Sequence, residues 1–117
     1  MPINDDLVVI VDDDPEIRGV LREHVEERGR KVLEVGNGLE ALWAVKHQHP
    51  RVVLLDLNMP RLGGLDSIKH IQKFDPAIRI IVISASLTDE IRTKLRTLGV
   101  SPLDKPIDFK KLGELLR

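Results

Sequence analysis

Val52-Val53-Leu54-Leu55-Asp56-Leu57-Asn58-Met59-Pro60, with Gly63-Gly64 just beyond, reads as a buried strand that ends in one acid. A short apolar run with β-branched residues, stopped by Pro and Gly, favours a strand over a helix. It delivers Asp56 to its carboxyl end, where open α/β sheets place their ligands. The rest of the chain is then read for what else it directs toward Asp56.

Before this strand, Leu7 to Val11 forms another continuous apolar run, closed by Asp12-Asp13-Asp14-Pro15. Asp14 followed by Pro15 is an N-cap and first-turn pattern, so a helix starts there. Ile17, Val20, Leu21 and Val25 give its apolar stripe and Gly29 its end. Val32 to Val35 is a second strand, with Glu34 inside it. Asn37-Gly38 reads as a turn, and Leu39, Leu42, Trp43 and Lys46 open a helix that stops before Pro50. Trp43 is expected to serve helix packing, and His24, His47, His49 and His70 carry no functional signal.

After the opening strand, Leu65, Ile68 and Ile71 follow at helical spacing up to Asp75-Pro76. Ile78 to Ile83 is a fourth strand, ending in Ser84-Ala85-Ser86. Leu87, Ile91, Leu95 and Leu98 mark a fourth helix closed by Gly99. Ser101-Pro102-Leu103 leads to Asp104-Lys105-Pro106, and Phe109, Leu112, Leu115 and Leu116 mark a last helix.

Five β-α units in succession imply a parallel sheet covered by helices on both faces. The nearly all-apolar first, third and fourth strands belong at the centre, while Glu34 and Pro102 assign theirs to the edges. The resulting fold is a doubly wound, flavodoxin-like (βα)5 sheet of order 2-1-3-4-5, in one domain over residues 1–117. Its switch point lies between the first and third strands.

The 117 residues suffice for one compact domain. A net charge of −1 without a basic stripe gives nucleic acid no electrostatic footprint. No apolar run spans a bilayer and no signal-peptide pattern is present. Zero cysteines exclude disulfide and thiolate chemistry and fit a cytoplasmic protein.

The strand ends bring together Asp12 and Asp13, Asp56, Ser84 and Lys105. Two carboxylates about 5 Å apart repel by about 3 kcal/mol at an effective dielectric of about 20. Three with one Lys partner therefore call for a bound proton or a divalent cation. Mg²⁺, or the similar Mn²⁺, suits an all-oxygen site that leaves room for phosphate, and zinc lacks its usual Cys and His ligands here. A carboxylate in such a site can itself be the nucleophile, forming an aspartyl phosphate. Asp56, at the middle of the rim, is the candidate.

Val9-Ile10-Val11-Asp12-Asp13-Asp14-Pro15, Asp56-Leu57-Asn58-Met59-Pro60 with Gly64, Ser84-Ala85 and Lys105-Pro106 together resemble the response regulator receiver domain of two-component signalling. The resemblance covers essentially the whole chain, in order. It implies Asp56 as phosphoacceptor, with Asp13, Asp56 and the Asn58 backbone carbonyl binding Mg²⁺ and Asp12 reaching it through water. It also implies Ser84 and Lys105 on the phosphoryl oxygens, a small Ala85 that leaves access, and a cis bond between Lys105 and Pro106. The implied donor is a sensor histidine kinase or histidine phosphotransfer protein, and the helix from Pro15 onward is its expected contact because it borders the acidic pocket. The implied output runs through the Ser84–Leu98 and Ser101–Leu103 surface, to an output domain or a second copy.

This sequence departs from the family in three ways. Pro102 stands where the family usually has Tyr or Phe, so an aromatic rotamer switch is impossible there. Asp104 replaces a usually apolar residue and places an extra charge beside the site. The last helix is short, as in a chain cut from a longer protein. Two rival readings follow from the residues. A Mg²⁺-dependent phosphatase of the haloacid dehalogenase type would need an acid at Asn58 and a cap for its substrate. A receiver-like protein-binding scaffold would fit the missing aromatic at Pro102.

Overall fold

The computed structural model describes residues 4–57 and 64–117. The apolar runs form β1 (Asn4–Val11), β2 (Lys31–Val35), β3 (Pro50–Asp56), β4 (Arg79–Ser84) and β5 (Ser101–Asp104). Between and after them run α1 (Pro15–Glu27), α2 (Gly38–Gln48), α3 (Gly64–Phe74), α4 (Asp89–Thr97) and α5 (Phe109–Leu115). All strand pairs are parallel, in the order β2-β1-β3-β4-β5. The order read from strand hydrophobicity is the one observed, with the switch point between β1 and β3.

Side chains alternate across each strand, and the sheet divides its apolar residues between two layers. Val8, Ile10, Val52, Leu54, Ile81, Ile83 and Leu103 face Leu21 and Val25 of α1, Leu112 of α5 and Leu116, the residue that caps α5. Val9, Val11, Val53, Leu55, Ile80 and Val82 face Ala41, Ala44 and Val45 of α2, Ile68 and Ile71 of α3, and Leu95 of α4.

Local chemistry sets where the helices begin and end. The Asp14 carboxylate accepts the Glu16 N–H at 2.9 Å, with Pro15 in the first turn. Thr88 and Asp108 cap α4 and α5 in the same way. Gly29 and Gly99, at φ +80° and +73°, take the left-handed turn that follows α1 and α4. The Lys105–Pro106 peptide is cis.

Several expectations need correction. Asn37 is not a free turn but the N-cap of α2, its side chain accepting the Glu40 N–H at 2.9 Å. Trp43 does not pack inward; it is 57% exposed and lies against the His47 ring. Val20, placed on the buried stripe of α1, is half-exposed. β1 starts three residues before Leu7, and β3 starts at Pro50, two residues before Val52. Glu34, the charge inside β2, meets Arg18 at 3.3 Å and Arg22 at 2.7 Å, both on α1.

Candidate functional site

Two rows of apolar side chains on the α1–α5 face, with Leu103 of β5 on the same face, run directly into the site. Ile10 stands beside Leu54 in the β1–β3 register. Two residues further along each strand, alternation returns the chain to the same face with Asp12 and Asp56. Leu103 of β5 belongs to that face as well, and two residues on comes Lys105. Period-two geometry thus brings two acids and a base from three strands to one end of the sheet.

Asp12 is 2% exposed and Asp56 5%. Lys105 Nζ lies 3.5 Å from Asp12 Oδ2 and 3.6 Å from Asp56 Oδ2, one cation shared by two buried carboxylates. Asp12 Oδ1 accepts the Asp14 N–H at 2.9 Å, and its backbone carbonyl accepts Arg18 Nη1 at 2.6 Å. Asp13, at the surface, completes the group: Asp12, Asp13 and Asp56 can each offer a carboxylate oxygen, all within 4.8 Å of one another. An all-oxygen donor set of this kind suits a hard cation such as Mg²⁺, Mn²⁺ or Ca²⁺.

Ser84 is fully buried at the end of β4, one residue past the partner of Asp56 in the β3–β4 register. Its Oγ accepts the Ser86 N–H at 3.1 Å. Ala85 is exposed. Asn58, whose carbonyl was expected among the metal ligands, lies outside the described residues, as do Met59 and Pro60. Asp104 does not join the site: its carboxylate meets Arg92 Nη2 of α4 at 2.5 Å. Arg18 and Arg92 escaped the sequence reading. The only hint of the first was the Arg18–Arg22 spacing along α1, facing a charge within β2.

Burial pushes the Asp12 carboxyl above its ordinary value of 3.8; the Asp14 N–H opposes this, the Asp56 charge adds to it, and Lys105 opposes it. A folded-state carboxyl that holds its proton to higher pH makes the protein less stable as pH rises from the ordinary value through the raised one. Asparagine does not titrate and still accepts the Asp14 N–H. In EDTA at neutral pH, Asp12→Asn is therefore expected to unfold at higher urea than wild type. The gap should close as pH falls through the carboxylate range. A urea series against pH checks this, and a lower midpoint at neutral pH would contradict it.

With fold and geometry established, comparison with known proteins is decisive. The response regulator receiver domain model matches residues 8–117. The chain belongs to this family. Sporulation initiation phosphotransferase F of Bacillus subtilis (strain 168) is 30% identical over 111 residues, 94% of this chain and 90% of its own length. Protein-glutamate methylesterase/protein-glutamine glutaminase 3 of Hahella chejuensis (strain KCTC 2396) is 38% identical over 86 residues, 72% of this chain. The matched part is 25% of that enzyme's length. Among solved structures, a response regulator receiver protein from Pseudomonas putida superposes with a TM-score of 0.89 at 31% identity, covering 98% of both chains. The chain is a receiver domain of the two-component response regulators, and neither the phosphatase nor the scaffold reading is favoured by these matches. Among the described residues, no helix is long and apolar enough to cross a membrane.

Proposed function

We propose that residues 1–117 act as one cytoplasmic receiver module that accepts a phosphoryl group on Asp56 from a phosphohistidine. The donor is a sensor histidine kinase or a histidine phosphotransfer protein approaching along α1. An Asp56 carboxylate oxygen attacks phosphorus, the P–N bond breaks, and the imidazole nitrogen leaves with the electron pair and takes up a proton. The observation that carries this reading is the approach of Lys105 Nζ to within 3.6 Å of both buried carboxylates. A cation already held at the nucleophile is positioned to meet the charge on the transferring phosphoryl oxygens.

Asp12, Asp13 and Asp56 would hold Mg²⁺ or Mn²⁺, with the Asn58 carbonyl as a further oxygen donor; their all-oxygen chemistry fits the ion. When bound, the ion neutralises phosphoryl oxygen charge. Ser84 supplies a hydroxyl donor on the β4 side, beside the small, exposed Ala85. A shift of Ser84 toward a phosphoryl oxygen would change its present contacts, the Ser86 N–H among them. Residues 85–88 follow and carry α4, so the surface of β4, α4 and β5 is the outlet of the signal, to an output domain or a second copy. The chemistry is confined to Asp56 itself, as suits a switch rather than an enzyme.

Incubation with acetyl phosphate and Mg²⁺, followed by intact mass, tests the proposal. One labile phosphoryl adduct is expected on wild type, and none in Asp56→Asn or in EDTA. No adduct on wild type, or one that persists in Asp56→Asn, would overturn it.

A further inference from the structure

Ser84 and Asp104 stand opposite one another in the β4–β5 register, and the Lys105 N–H donates to the Ser84 carbonyl at 3.0 Å. Alternation along β5 sends Leu103 into the α1–α5 core and Lys105 to the carboxylates. Asp104, between them, points to the opposite face, where α4 packs. There Arg92 Nη2 sits 2.5 Å from its Oδ1. Arg92 lies one turn into α4, and its N–H donates to the carbonyl of the Thr88 cap at 2.9 Å.

These contacts close a ring. The chain leaves Ser84, runs through residues 85–88 into α4, crosses from Arg92 to Asp104, and returns through strand pairing to Ser84. The only link in that ring that is neither covalent nor part of the strand ladder or helix is the ion pair. Movement of residues 85–88 that carries α4 away from β5 works against it. Among the described residues, the other charges that reach the pair are Asp89, beside Arg92, and Lys111 of α5, beside Asp104.

We propose that the Arg92–Asp104 pair is a latch that holds α4 against β5 in the unphosphorylated protein. By doing so it sets how readily Ser84 and residues 85–88 rearrange around Asp56. Both residues are positioning residues that touch no reacting atom. The latch rests on the reading of Asp56 as phosphoacceptor and adds a regulation of that site. An exposed ion pair shifts such an equilibrium about fivefold at most, so the latch tunes the switch and does not lock it.

The test compares wild type with Asp104→Asn and Arg92→Gln, two variants that break the pair while changing the local charge in opposite directions. Two readouts are taken: amide hydrogen exchange over residues 86–92 in the unmodified protein, and the initial rate of Asp56 modification by acetyl phosphate with Mg²⁺. Loss of the latch is expected to speed both readouts in both variants, by about two- to fivefold. An electrostatic effect of charge alone on the anionic donor would instead raise the rate in Asp104→Asn and lower it in Arg92→Gln. Opposite rate shifts, or unchanged exchange in both variants, would overturn the latch. If wild type takes no phosphoryl group, the phosphoacceptor reading fails, and the exchange measurement still decides the latch.

Discussion

Lys105→Met is expected to slow modification of Asp56 by acetyl phosphate about a hundredfold at saturating Mg²⁺, the low end of the cost of removing one preorganised donor from a developing anion. The ammonium lies 3.5 Å and 3.6 Å from the two buried carboxylates, so it is in place before the phosphoryl group arrives and needs no reorganisation. Methionine keeps much of the unbranched stem and removes the charge with its N–H donors. The same substitution leaves the acidic group without its bridging cation, so a divalent cation should bind at least as tightly as in wild type. The two effects therefore separate: the rate falls while metal affinity holds or rises. Initial adduct rates by intact mass, with a Mg²⁺ titration on each protein, check both. A rate within a few fold of wild type would remove Lys105 from the phosphoryl-binding role.

Strand order and the acidic rim were legible in the sequence because both follow from period-two patterning and from where apolar runs stop. β1, β3 and β4 are buried on both faces and read as continuous apolar runs; Glu34 and Pro102 mark the edges. Asp12 and Asp56 were found because each terminates such a run, and Lys105 because it follows the short last strand. The same alternation that turns Lys105 inward turns Asp104 away, so proximity in sequence to the site was the wrong guide for Asp104. Its partner Arg92 was invisible to local pattern, because the pair depends on how α4 lies across β5. On α2 the large residue Trp43 is expected to serve helix packing. The helix instead packs on Gly38, Ala41, Ala44 and Val45, mostly small residues that allow close approach to the sheet, and turns Leu39 and Trp43 outward. Asn37-Gly38 suits a turn and an N-cap equally; only the hydrogen bond to Glu40 distinguishes them.

Leu54→Ala should destabilise the fold by about 3 to 4 kcal/mol, within the range for large-to-small changes at fully buried sites. Leu54 is 1% exposed on the central strand, flanked in register by Ile10 and Ile81, both buried, with α1 and α5 layered over the same face. The ladders on both sides of β3 prevent the strand from moving to fill the space, so most of the cavity persists and its cost is added to the lost transfer energy. Against a total of about 5 to 15 kcal/mol, such a loss removes a large fraction of stability. Urea unfolding should show the midpoint falling with little change in slope, since the surface exposed on unfolding is nearly the same. A loss below about 1 kcal/mol would mean that the row can collapse. The site should nevertheless survive where the variant is folded. Asp56 sits at the end of the same row, but β3 is held there by its register with β4 and by the Leu57 N–H donating to the Ile83 carbonyl at 3.3 Å. Well below its unfolding midpoint, Leu54→Ala should therefore accept a phosphoryl group within a few fold of the wild-type rate, whereas Lys105→Met leaves the core intact and loses the chemistry.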